Sequence, residues 1–482
     1  MSQSSLPVRY QRMPASTPPT HTVLLALFLG ASVLGMLGGC ASVPKVPEPN
    51  PSASTGVPQL VGRRGPLTAE QSKAILLKLG ETRGDDRLLQ RHLATQTAIA
   101  DSPLVAGNRT KLLRDGEETF RAMFGAIRGA KRDINLEYYI FEDIAYDGAQ
   151  LGDLLIQKRQ AGIQVNILYD SYGSSATPTA FLDRLKNAGI KLLSFNPMNP
   201  LDTRGLPYAP NNRDHRKILV VDGQVAIVGG INMSTAYQSS GSGKSAAPPG
   251  TTPDQWRDTD LQIEGPAVAA LQKLFLDHWA SQKGEPFDAA AMFPANGPAG
   301  PAVVRVMGSA PGDNDPQYYA SLLTAIRTAE KNVKITTAYF APTAQEIDDL
   351  KSAAGRGVDV RLVLPGRSDS PLSIAVAHSH YTGLMEAGVT IHETHNIVLH
   401  SKTAVIDGVW SVIGSSNFDH RSVIANDEVD VVVLGSQAAQ ELEDLFARDE
   451  ASATRVTLEA WKNRPLWNRL KERFSLLWES LL

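Results

Sequence analysis

Two periodicities alternate along most of this chain. Apolar residues recur at helical spacing over 119–130, 149–161 and 180–188, and compact apolar runs at 134–140, 165–169 and 191–195 suit strands. The order returns later, with helices predicted at 317–329, 344–354 and 375–387 and strands at 333–339, 360–364 and 390–392. Such alternation predicts an α/β protein whose sheets are mixed, largely parallel and covered by helices. Lys186-Asn187-Ala188-Gly189-Ile190 is echoed by Met385-Glu386-Ala387-Gly388-Val389, so duplication of a whole domain is the simplest account. The reading gives a first domain at 66–292, including an N-terminal helical extension through Ile75 to Leu79, and a second at 302–455. A Gly/Pro/Ala-rich stretch at 293–301 links them, and a pseudo-two-fold axis relates them.

The ends read differently. An apolar stretch at 23–39, preceded by Arg9 and Arg12, has the pattern of a signal peptide covering 1–39. Leu37-Gly38-Gly39-Cys40 resembles a bacterial lipobox, in which Cys40 would be lipidated and become the first mature residue. Cys40 is the one cysteine, which excludes an internal disulfide. Ala41 after it suits sorting to the outer membrane, so the reading is a lipid-anchored, periplasm-facing protein of the bacterial envelope. Residues 40–65, rich in Pro, Ser and Gly, read as a lipidated tether. At the other end, 456–482 places Leu466, Trp467, Leu470, Phe474, Leu477, Trp478 and Leu481 at helical spacing. This amphipathic helix either lies in a bilayer interface or docks on the second domain, and docking is preferred.

Composition changes this picture little. With 482 residues, 42% hydrophobic and 20% charged, the chain is ordinary for two α/β domains. The net charge of −3 falls to about −5 once Arg9 and Arg12 are removed, which speaks against nucleic acid as substrate, since that needs a basic footprint.

The chemistry lies in a doubled segment. His215-Arg216-Lys217, Asp222, Gly229-Gly230 and Asn232 are answered by His400-Ser401-Lys402, Asp407, Gly414-Ser415 and Asn417, all at a constant offset of 185. A histidine and a lysine two apart on a strand share a face. The runs after them, Ile218-Leu219-Val220-Val221 and Thr403-Ala404-Val405-Ile406, suit buried strands that would hold that face rigid. Lys217, Lys402, Asn232, Asn417 and Ser415, with close-approaching backbone, suggest a phosphate cradle. Two cradles suggest one shared phosphodiester, with one imidazole attacking phosphorus and the other protonating the leaving oxygen. Each imidazole needs an orienting group. Alignment of 260–265 with 430–435 pairs Asp258 with Glu428, and these are the expected carboxylates. Asp222 and Asp407, counted with the site, each precede a glycine as in a hairpin turn, which suggests a structural and indirect role.

The two H-x-K-x4-D segments with their trailing G-[GS]-x-N resemble the phospholipase D superfamily over roughly residues 105 to 450. Residues 212–217, 415–422 and 136–140 are similar to its bacterial cardiolipin synthase branch. The resemblance implies two tandem phospholipase D-like domains and a metal-independent, cofactor-free phosphatidyltransferase acting through a covalent phosphohistidine, with His215 as nucleophile. Its implied partners are membrane phospholipids, phosphatidylglycerol among them. A phospholipase D-type hydrolase, or an envelope phosphodiesterase or nuclease, is the alternative. Two other patterns are set aside. Gly243-Lys244-Ser245 lacks the rest of a phosphate-binding loop, and His378, His380, His392 and His395 lack the spacing of a zinc site.

Overall fold

A computed structural model describes residues 43–48, 58–81, 86–97, 101–240, 255–313 and 316–482. The signal-peptide and lipidation readings, Cys40 among them, and most of the 238–250 loop lie outside the described residues.

Within Val43–Leu482 the repeat is plain in strand order. In the first half Leu104–Arg114 is followed across the sheet by Thr259–Glu264, Val225–Gly229, Lys217–Val221, Asp133–Tyr138, Gln164–Asp170 and Lys191–Phe195. The second half runs Ala302–Ser309, Asn426–Leu434, Trp410–Gly414, Thr403–Ile406, Asn332–Thr336, Asp359–Pro365 and Thr390–Thr394. The sheets are mixed, as expected, but among the seven strands of each half only the last three pair in parallel. Those strands are joined through helices, whereas the strands after each histidine turn back in hairpins and so pair antiparallel. The helices Asp115–Gly129, Leu151–Gln160 and Thr179–Asn187 correspond to Gln317–Thr328, Ala344–Gly355 and Pro371–Glu386.

The halves form one body. Leu104–Arg114 pairs with Thr259–Glu264 through its later residues and with Ala302–Ser309 through its earlier ones. A buried cluster draws Ile218, Val220 and Leu261 from one half and Val405, Ile413 and Val431 from the other. At about 1.5–3 kcal/mol for each such side chain taken from water, this shared core binds the halves firmly.

Two boundaries move. The tether was expected to reach residue 65, but Leu60–Gly62 turns back onto Gly65–Pro66 and pairs parallel with Leu104–Arg114. Leu60 is fully buried and supplies the reason. The helical extension, read as part of the first domain, packs on the second half: Leu76, Leu89 and Leu93 share a core with Ile326, Val409 and Trp410. His92 Nε2 stands 3.0 Å from Asp407 Oδ2.

The C-terminal helix Leu466–Ser475 does dock on the second half, against Pro371–Glu386, though with an unexpected face. Glu472 and Ser475 are its buried residues. No helix among the described residues is long and apolar enough to cross a membrane.

Candidate active site

His215 and His400 each occupy the extended segment just before a buried strand, Lys217–Val221 and Thr403–Ile406. Each segment is held by the opposite half. The His215 N–H donates to the Asp427 carbonyl at 2.9 Å, beside a short parallel pairing of Arg213-Asp214 with Asn426-Asp427. The His400 N–H donates to the Arg257 carbonyl at 2.8 Å, beside the equivalent pairing of Trp256-Arg257 with Val398-Leu399.

One residue further along each partner strand sits the carboxylate, so the orienting pairs are crossed. His215 Nδ1 lies 3.0 Å from both Glu428 oxygens, and His400 Nδ1 lies 2.7 Å from Asp258 Oδ2. Tyr237 Oη is 3.1 Å and Lys402 Nζ 2.8 Å from the same His400 nitrogen. With Nδ1 committed, Nε2 is the nitrogen each ring offers to a reactant. Both rings line one cavity of about 470 Å³, together with Asn232 and Asn417.

Burial pushes the His215 imidazole down to about 4, outweighing the pull of Glu428. His400 is also lowered, by burial and then by Lys402. Burial would raise the Glu428 carboxyl, but His215, Lys217 and the Ser415 hydroxyl hold it below its ordinary range. Each ring is therefore a neutral base in the resting protein, and Glu428 is ionised behind His215.

Three expected phosphate-binding residues stand behind the cavity lining. Lys217 and Lys402 are buried behind the imidazoles, each Nζ donating to the carbonyl of its own histidine. Burial lowers both, Lys217 to about 7. Ser415, expected to bind phosphate, is fully buried and donates to Glu428. Its counterpart Gly230 is small because a Cβ there would collide with the Asp258 carboxylate. This motif position therefore makes room for the orienting carboxylate, where a close approach to ligand was expected.

Asp222 and Asp407 lie at the far end of the strands that begin at the histidines, and neither lines the cavity. Asp222 accepts from the backbone N–H groups of Lys131, Arg132 and Asp133, and Asp407 from those of Glu330, Lys331 and Asn332. Both occupy left-handed backbone, φ 53° and 55°, in turns that the following glycines continue. They tie the helix-to-strand corner to the hairpin, away from the cavity lining.

Sequence reading missed the cavity's aromatic wall. Tyr139 meets the His215 ring edge-on at 5.3 Å, and Tyr339 meets the His400 ring at 6.0 Å. Tyr237 joins Asn232 to His400, accepting from Asn232 Nδ2 at 3.2 Å. The repeat held a signal for the first two, since both follow the corresponding strand, but their offset of 200 hides them from a search at 185. Arg421 and Arg213 also line the cavity and supply its cations.

Beneath His215, Glu137, Asp214 and His278 come within 4.8 Å of one another, the kind of grouping that can hold a metal. Arg216 already brings a positive charge there, 3.4 Å from Glu137 and 3.3 Å from Asp427, and His278 Nδ1 lies 2.7 Å from Glu137. Burial raises Glu137 to about 7. The cluster props the segment carrying His215 from behind. His378 and His380 are paired with Glu393 and Glu479, as side chains bound to carboxylates.

Known proteins resemble this chain over most of its length. A family model described as "Cardiolipin synthase, PLD-like domain" matches residues 123–240 and 322–450. The chain is 33% identical over 392 residues to a cardiolipin synthase of Alkalihalophilus pseudofirmus, covering 80% of this chain and 74% of that one. It is 34% identical over 407 residues to cardiolipin synthase 1 of Staphylococcus aureus, covering 83% and 79%. Among solved structures, a phosphatidylserine synthase of Haemophilus influenzae superposes with a TM-score of 0.60 at 12% identity, covering 82% of this chain and all of that one, which is a likeness of fold.

Proposed function

The chain belongs to the phospholipase D-like family in its cardiolipin synthase branch and is a phospholipid phosphatidyltransferase; on that premise we propose that it joins two phosphatidylglycerol molecules through a covalent phosphohistidine. The observation that supports this most is the pair of crossed imidazole–carboxylate couples facing one cavity.

In the first half-reaction, Nε2 of neutral His215 attacks the phosphorus of one phosphatidylglycerol. The bond from phosphorus to the glycerol oxygen breaks as His400 gives that oxygen a proton, and glycerol leaves. In the second, a hydroxyl of another phosphatidylglycerol surrenders its proton to His400 and attacks the phosphohistidine, which frees His215 and yields cardiolipin. Glu428 steadies the positive charge that grows on His215, and Asp258 does the same for protonated His400. A phosphodiester anion arriving in the cavity favours protonation of His400 and of the buried lysines, so the substrate itself helps to prepare the acid. Arg421, Arg213, Asn232 and Asn417 are placed to hold its oxygens, with Lys217 and Lys402 acting from behind.

The substrates are membrane phospholipids. The lipobox pattern at Cys40 supports a lipid anchor in the bacterial envelope, facing the periplasm, on the outer membrane. Purified protein incubated with phosphatidylglycerol, with products identified by mass spectrometry, tests the reaction: cardiolipin and glycerol should appear together, and His215→Ala should abolish both. Phosphatidic acid as sole product would make the protein a hydrolase, and undiminished turnover by His215→Ala would overturn the mechanism.

A further inference from the structure

The C-terminal helix is folded inside out for a water-soluble surface. The residues it turns to the protein are polar, Glu472 and Ser475: Glu472 takes both Arg464 terminal nitrogens at 2.6 and 2.9 Å, and the 3-10 turn that follows sets Glu479 against His380. Its apolar residues face outward, Leu466 at 78% exposure, Trp467 at 64%, Phe474 at 60% and Leu477 at 67%. A side that large and apolar is rarely left to water.

A second apolar patch belongs to the loop between Phe195 and Arg213, where Met198, Leu201 and Tyr208 are exposed, Leu201 to 89%. The corresponding link in the other half, from Thr394 to Val398, is far shorter. The two segments that carry these patches converge on Arg421 at the lip of the active-site cavity. The Arg421 N–H donates to the carbonyl of Leu482, the end of the C-terminal segment, and its guanidinium donates to Asn211 at the end of the loop. Both Arg421 and Asn211 line the cavity.

We propose that these two segments form a monotopic membrane-docking surface that seats the cavity mouth on an anionic lipid bilayer. Charge complementarity selects that occupant over a second copy of the chain. The exposed charges of the helix, Arg469, Lys471 and Arg473, are all basic, while Glu472 and Glu479, the acids of 466–482, are turned inward and paired; the loop adds the exposed Asp202, whose carboxylate accepts from Asn199. Trp467, with Lys471 Nζ 5.7 Å from its ring centre, has the apolar body and basic neighbour of an interfacial anchor. The lipid-facing role of the mouth rests on the phosphatidyltransferase reading, since that reaction needs substrates whose acyl chains stay in the bilayer.

Because Cys40 is the sole cysteine, a full-length Cys40→Ser protein accepts a nitroxide label at Leu470→Cys or, as a control on an exposed helix face, at Lys273→Cys. On vesicles of phosphatidylglycerol and phosphatidylethanolamine, the label at 470 should lose access to a water-soluble nickel chelate and gain access to oxygen. Phosphatidylcholine vesicles should do this weakly, and the label at 273 should not change. In parallel, Leu470→Glu with Phe474→Glu should cut turnover of vesicular phosphatidylglycerol at least about tenfold while sparing a short-chain, monomeric form, which also shows that the variant folds. A label at 470 that stays water-exposed on anionic vesicles overturns the surface, as does one already protected without vesicles, which would reveal self-association. Protection at 470 without phosphatidyl transfer would refute only the enzymatic reading, and transfer with 470 exposed would refute only the surface.

Discussion

At the residue scale the decisive contacts are those from His215 to Glu428 and from His400 to Asp258. His215 must be neutral to attack, and burial holds it down to about 4. The sign follows: the attacking form is present above that value and lost as pH falls through it. The acid limb of a kcat/KM profile should therefore lie near 4, well below the 6.5 of an ordinary histidine. Glu428 raises the His215 value, so Glu428→Gln should move that limb lower still. It should also reduce kcat by about 10³-fold or more, the scale on which removal of an imidazole's carboxylate acts. A limb that stays near 6.5, or a glutamine variant with wild-type kcat, would refute this assignment. Both carboxylates were legible in the sequence from strand alignment, but the crossing was not. Which histidine meets which acid depends on the packing of two distant halves, and spacing along the chain does not encode it. The purpose of Gly230 and Ser415 was hidden likewise, because their neighbours Asp258 and Glu428 approach from another strand.

At the scale of elements, the hairpins after each histidine position the site from a distance. Asp222 and Gly223 both hold positive φ, and the Gln224 N–H closes the turn on the Val221 carbonyl at 2.9 Å. Asp222→Ala would keep a strained left-handed residue and strip three backbone N–H groups of their acceptor. A loss of about 2–4 kcal/mol in unfolding free energy is expected. Asp222→Asn, which tolerates that backbone and retains an acceptor oxygen, should lose about half as much. Denaturant titration measures both, and turnover of folded protein should stay near wild type because the residue does not reach the cavity. A large fall in kcat at unchanged stability would return Asp222 to the chemistry. The Asp-Gly pair was readable as a turn from its residue types alone. The opening strands of each half, Leu104–Arg114 and Ala302–Ser309, were not read. The first carries Asn108, Arg109 and Lys111 among its apolar residues and divides its length between two neighbours, so no single period runs through it.

At the scale of the whole molecule, crossing makes the two halves one catalyst. A fragment ending near residue 297 would keep His215 and Asp258 but lose Glu428 and His400, and the remainder would keep only those two. Neither should form cardiolipin alone. Together they should recover activity, because the cut spares every strand while the core shared by Val220, Leu261, Val405 and Val431 remains to be buried. With the N-terminal helices also packing on the second half, the apolar gain is on the order of 10 kcal/mol, enough to hold fragments together at micromolar concentration. The measurement is cardiolipin formation by each fragment, by fragments mixed after purification, and by fragments made together in one cell. Activity in a single fragment would show that one histidine suffices with acids of its own half, and the crossed arrangement would be wrong. Restoration only on co-expression would place the assembly step in folding, as the strand Leu104–Arg114, which must pair with both halves at once, requires.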